Sequence, residues 1–163
     1  MTQPGHDLSH IHYQGTENHR DTTVAIVASK WNPEVLEALL EGAWRTLVAA
    51  GIPEKQVLVY RVPGSYELPT GAQFAVEGNP GIDAVICLGC VVQGETRHFE
   101  FINQAVAQGV KDVSLKYNLP VIFGVLTPET NQQALDRAGG KYGNKGEEAA
   151  VAALEMIDLK RSL

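Results

Sequence analysis

Residues Asp83–Phe101 read "DAVICLGCVVQGETRHFEF". From Ala84 to Val92 the run is apolar almost throughout. A strand that alternates apolar and polar residues has one wet face, whereas one that is apolar throughout is covered on both. Coverage on both faces comes from helices packed against the two sides of a parallel sheet. The run then breaks into a polar cluster, Gln93-Gly94-Glu95-Thr96-Arg97-His98, before aromatics resume at Phe99 and Phe101. In open parallel sheets, ligands bind beyond the carboxyl ends of the strands. One segment therefore indicates both a fold class and the place to look for a site.

The flanking sequence repeats the pattern. "TVAIVAS" (Thr23–Ser29), "QVLVYRV" (Gln56–Val62) and "PVIFGVLT" (Pro120–Thr127) are three further short apolar runs rich in β-branched residues. Between them the periodicity is helical. Val35, Leu36, Leu39, Leu40, Ala43, Leu47 and Val48 form one apolar face. Asn32 suits the N-cap of that helix, Pro33 its first position and Gly51 its stop. A second helix is expected after the Pro63-Gly64 turn, to about Gly78. A third runs from Thr96 to Tyr117 through Ile102, Val106, Val110 and Val113. A short one covers "NQQALDRAG". A glycine-rich loop, "GGKYGNKG", leads into the last helix, from about Glu147 to Leu159. The expected architecture is an α/β three-layer α/β/α sandwich around a central four-stranded parallel sheet.

A chain of 163 residues suits one domain with a real core. We expect that domain over residues 23–163, with residues 1–22 as a flexible N-terminal arm. His6, His10, His12 and His19 lie in the arm. Metal binding by "HDLSHIH" is one reading of them, and a flexible or partner-draped arm is the other. No apolar stretch is long enough to span a bilayer, and the first residues lack the apolar core of a signal peptide, so a cytoplasmic protein is expected. The net charge of -6 argues against nucleic acid and anionic membranes as partners. An anionic substrate would need a local basic pocket. Cys87 and Cys90 are the only cysteines. Redox or zinc chemistry is conceivable for C-x-x-C, but residues three apart on a strand face opposite ways, and no second pair completes a zinc site.

Unusual residues follow each predicted strand: Lys30-Trp31-Asn32, then Pro63-Gly64-Ser65-Tyr66-Glu67, then Gln93 to His98, with Phe123-Gly124 late in the fourth. A parallel sheet gathers these at one edge. Trp31 offers a stacking platform for a planar ring, or a hydrophobic plug. Glu67 is either a ligand contact or a first-turn partner of a helix dipole. Arg137 could serve a helix C-terminus, and Lys145 could be a solvated loop cation. Gly94 admits a close backbone approach, and the amides of Glu95 and Thr96, opening a helix, suit an anion. His98, the one histidine outside the arm, suits proton transfer near neutrality. The chain has no G-x-S-x-G elbow, P-loop or dinucleotide fingerprint.

Together "WN" after the first strand, "VPGSYELP", "LGCVVQGETRHFEF", "PVIFGVLT", "QALDRAG" and "GNKGEEAA", in this order and spacing, resemble the lumazine synthase (6,7-dimethyl-8-ribityllumazine synthase) family from about Val24 to Leu159. The resemblance implies a flavodoxin-like fold, with room for an added N-terminal strand on a neighbouring subunit. It implies a transferase that condenses 5-amino-6-(D-ribitylamino)uracil with 3,4-dihydroxy-2-butanone 4-phosphate, the penultimate step of riboflavin biosynthesis, without metal or cofactor. Carried over by position, Trp31 stacks on the pyrimidine and Ser65, Tyr66 and Glu67 meet the ribityl chain. Cys90, Val91 and Val92 line the pyrimidine slot, and Phe123 closes it from a neighbour. Glu95, Thr96 and the neighbour's Arg137 hold the phosphate, with Lys145 nearby, and His98 transfers protons.

The family forms pentamers. The short "RAGGKYGNKG" loop resembles members that assemble twelve of them into an icosahedral 60-mer, with riboflavin synthase as cargo. Many members carry Phe at the position of Trp31 and a base at that of Gln93. The indole suggests weak flavin binding, and hence the alternative of a non-catalytic flavin-binding or storage shell, against which His98, Arg137 and Lys145 all speak.

Overall fold

The computed structural model describes residues 11–163; the metal reading of His6 and His10 lies outside the described residues. Four parallel strands form the sheet: β1 (Val24–Ser29), β2 (Val57–Val62), β3 (Ala84–Cys90) and β4 (Val121–Leu126), in the order β2-β1-β3-β4. Every residue of the two central strands is buried, as their unbroken apolar sequence requires. Helices α1 (Pro33–Ala49) and α5 (Lys145–Ser162) cover one face, against Val24, Ile26, Ala28, Ile86, Leu88 and Cys90. Helices α2 (Leu68–Gly78) and α3 (His98–Tyr117) cover the other, against Ala25, Val27, Val85 and Cys87. The three-layer sandwich and its four-stranded parallel sheet are thus as expected. Cys87 and Cys90 join opposite cores as free thiols. Burial pushes them up to about 12 and about 11, so neither is a ready nucleophile.

The connections differ from expectation in instructive ways. Helix α1 stops as foreseen: Gly51 takes φ +100° and donates to the Val48 carbonyl at 3.0 Å. At its start, Asn32 occupies the N-cap position but its side chain makes no capping bond. Helix α3 begins at His98 rather than Thr96. Val91 and Gln93 still donate to the Leu126 and Pro128 carbonyls, so the chain stays extended past β3 and must spend the following residues turning. A 3-10 turn, Ser65–Glu67, precedes α2. After the short α4 (Asn131–Asp136), the glycine-rich loop is a small antiparallel hairpin, β5 (Ala138–Gly140) and β6 (Gly143–Asn144). The Asn144 carboxamide oxygen then caps α5 by accepting from the Gly146 and Glu147 amides.

Residues 11–22 form no helix or strand. Tyr13 packs on the α1/α5 core, and His19 is 1% exposed. Among the described residues no helix is long and apolar enough to cross a membrane.

Candidate active site

A cleft of about 370 Å³ opens at the carboxyl edge of the sheet, lined by Trp31, Asn32, Gly64, Ser65, Tyr66, Glu67, Cys90, Val91, Val92, His98 and Ile102. Three chain segments meet there because β1, β2 and β3 are parallel neighbours and end at one edge. Trp31 leaves β1 with its indole 71% exposed, so it is not a core plug. The ring lies against bare backbone: a Cβ at Gly64 would stand 3.3 Å from the indole Cδ1. Ser65 lines the cleft with its hydroxyl buried and unpartnered beside the Gly89 backbone of β3. The Glu67 carboxylate accepts from the Gly64 amide at 2.9 Å and so braces the 3-10 turn while lining the cleft. Cys90, Val91 and Val92 supply backbone and apolar surface. His98 is exposed at the first turn of α3, facing this cleft rather than packed hydrocarbon.

The anion-binding candidates stand apart. Glu95 and Thr96 are exposed in the turn before α3, where the Thr96 hydroxyl accepts from the His98 amide at 3.4 Å. Arg137 and Lys145 line a separate hollow of about 510 Å³ beyond β4, with Thr127, Gln133 and Tyr142. One carboxylate ties them together: Glu148 meets Arg137 at 2.6 Å and Lys145 at 3.2 Å. Two cations against one carboxylate leave a net positive charge at this rim, the local basic surface that an acidic protein needs for an anion. Phe123 faces a third hollow with Val110 and Leu115. Within one chain, then, the fold unites Trp31, the Ser65–Glu67 turn, Cys90–Val92 and His98, but not Phe123, Arg137 or Lys145.

Sequence reasoning gathered Asn32 and Gly64 at this edge without giving either a role in the site, and it missed Ile102 and Glu148. Asn32 was absorbed by its N-cap role. Glu148 carried a signal in its spacing of three from Lys145 on one helix. Among the described residues no group of three or more His, Cys, Asp or Glu side chains is gathered as a metal site.

A parallel α/β sandwich with an exposed indole and an exposed imidazole around a cleft at the carboxyl edge of its strands belongs to the flavodoxin-like class. Comparison with known sequences narrows this. The profile of the family described as 6,7-dimethyl-8-ribityllumazine synthase matches residues 21–161, and the chain belongs to that family. A protein of that name from Cytophaga hutchinsonii is 56% identical over 132 residues, 81% of this chain and 82% of its own length. Namesakes from Parabacteroides distasonis and Pediococcus pentosaceus are 45% and 43% identical, each over 152 residues, 93% of this chain and 94% and 96% of theirs.

Proposed function

We propose that the chain condenses 5-amino-6-(D-ribitylamino)uracil with 3,4-dihydroxy-2-butanone 4-phosphate to give 6,7-dimethyl-8-ribityllumazine, phosphate and water. The observation that carries this reading is the meeting of Trp31, Ser65, Cys90–Val92 and His98 in one cleft. The indole stacks on the pyrimidine, whose edge runs along the Cys90–Val92 backbone. Ser65, Tyr66 and Glu67, which line the cleft, meet the ribityl chain. The 5-amino group attacks the ketone to give an imine with loss of one water, phosphate is eliminated, and the ribityl-bearing nitrogen closes the ring with loss of a second water. Each step moves a proton, and the exposed imidazole of His98 carries it. No net electron transfer occurs, so no redox cofactor is called for.

The leaving phosphate needs positive charge that this cleft lacks. Arg137 and Lys145 carry it on the far side of β4, so a second copy must bring them to the turn at Glu95 and Thr96, with Phe123 closing the pocket. Arg137 would grip the phosphate through two parallel hydrogen bonds. The same reading has the chain working in the cytoplasm as a homo-oligomer, a pentamer that the short loop after α4 lets build into a 60-mer, with riboflavin synthase as its cargo. The deciding experiment incubates purified protein with both substrates and follows the lumazine chromophore. Product must require both substrates and the protein, and no product from folded oligomer defeats the reading.

A further inference from the structure

The structure assigns Asn32 the role of positioning residue for the cleft: its left-handed backbone and its amide bond to the Cys90 carbonyl together aim the Trp31 indole. This rests on the reading of Trp31 as the pyrimidine platform. Asn32 departs from what its sequence position favours in two ways. Its φ of 54° and ψ of 63° are left-handed, where an N-cap residue is normally extended. It also sits at the N-cap of α1, with the Leu36 amide bonded to its carbonyl, yet leaves the capping bond unmade. A residue that forgoes both local preferences is held by something else.

That something is the end of β3. The β1–β3 ladder stops at Ala28 and Leu88, while β3 runs on to Cys90. The Cys90 carbonyl therefore lacks a strand partner on the β1 side, and the Asn32 Nδ2 fills the place at 3.3 Å. The other end of the loop is fixed where the Lys30 amide donates to Val62 at 3.0 Å. Trp31 lies between these two anchors. Its ring is mostly exposed and leans on Gly64, so side-chain packing does little to aim it. The backbone on either side sets the direction instead. Because the bond joins the indole loop to Cys90, it also sets the spacing between the platform and the Cys90–Val92 wall opposite.

The test separates the hydrogen bond from the backbone shape. Asn32→Gly keeps the left-handed conformation and deletes the amide. Asn32→Asp tolerates the same φ but turns an acceptor toward the Cys90 carbonyl. Both should raise KM for the pyrimidine, by about 3- to 10-fold for Gly and more for Asp, the scale of one lost hydrogen bond. KM for the butanone phosphate should stay within about twofold. Unchanged pyrimidine KM in Asn32→Gly overturns the proposal, as does an equal loss on both substrates. Trp31→Ala is the control: if it leaves pyrimidine KM unchanged, the platform reading itself is wrong. If it raises KM while Asn32→Gly does not, only the positioning role fails.

Discussion

At the scale of single residues, the roles proposed for two side chains can be separated by kinetics. His98 stands exposed at the cleft, and imidazole is the side chain suited to giving and taking protons near neutrality. His98→Ala should lower kcat by about 10- to 1000-fold without abolishing it, since general acid–base contributions are of that order and holding two substrates together supplies the rest. An unchanged kcat in the same variant would remove His98 from the proton path. Arg137→Ala should act elsewhere. It leaves Lys145 as the one cation on Glu148 and takes away the guanidinium fork, so KM for the phosphate-bearing substrate should rise by an order of magnitude or more, with the pyrimidine little affected. His98 and Trp31 stood out in the sequence because each is an unusual residue following a predicted strand, whereas a phosphate role for Arg137 came only from the family resemblance. The positioning role proposed for Asn32 did not stand out, because a residue that fits a local rule gives no sign of doing something else.

At the scale of elements, the α1–α5 contact and the anchoring of the N-terminal segment each carry a prediction. Gly146, in the first turn of α5, lies so near α1 that a Cβ there would fall 1.9 Å from the Leu39 carbonyl oxygen. Gly146→Ala must push the helices apart, costing about 1–3 kcal/mol or more as overpacking does. Because that turn carries Lys145 and Glu148, thermal melting and affinity for the phosphate substrate should fall together; a variant that melts as wild type and binds as wild type contradicts the packing. The second case is His19. Arg161 donates to the Thr22 hydroxyl at 2.8 Å, leaving that hydroxyl free to donate to His19 Nδ1 at 3.1 Å. Tyr13 donates to Asp158 and so accepts from His19 Nε2 at 2.9 Å. The chain of bonds is complete with a neutral imidazole protonated on Nε2. Asp158, Glu17 and Asp83 favour a second proton, but burial and Arg161 oppose it, and burial prevails, holding the imidazole below its ordinary range. The unfolded chain then takes up a proton that the folded one refuses. Stability from this group is full above about pH 6.5 and is lost as pH falls below it. His19→Gln should therefore show a smaller drop in melting temperature between about pH 7 and about pH 5 than wild type, and an unchanged slope would place the titration elsewhere. Nothing in the polar run before β1 signalled this buried imidazole, because its partners Asp158 and Arg161 arrive from the far end of the chain.

At the scale of the whole molecule, the sheet and its two helical layers could be read from four apolar runs and the periodicity between them, because burial on both faces leaves no other stable arrangement. The division of the site could not be derived in the same way. No pattern along one chain reports that Arg137 and His98 occupy different rims, since that separation comes from the strand order β2-β1-β3-β4, which puts β4 at the opposite edge from β2. The surface is consistent with further burial: Phe74 on α2 and Phe101 and Leu115 on α3 are each more than 60% exposed, apolar area suited to another copy. If each pocket takes His98 from one subunit and Arg137 from the next, two defective chains can repair each other. His98→Ala and Arg137→Ala protomers, unfolded together and reassembled in equal amounts, should form rings in which about one pocket in four holds both native residues. Activity should then exceed the average of the two separate variants at a butanone phosphate concentration well below the KM of Arg137→Ala. Wild-type protein carried through the same procedure sets the scale, and the recovered fraction should approach about a quarter of it. A mixture whose activity equals the average of its parts, in particles shown by sedimentation to contain both chains, would mean that each subunit completes its own site and that Arg137 serves the fold rather than its neighbour's phosphate.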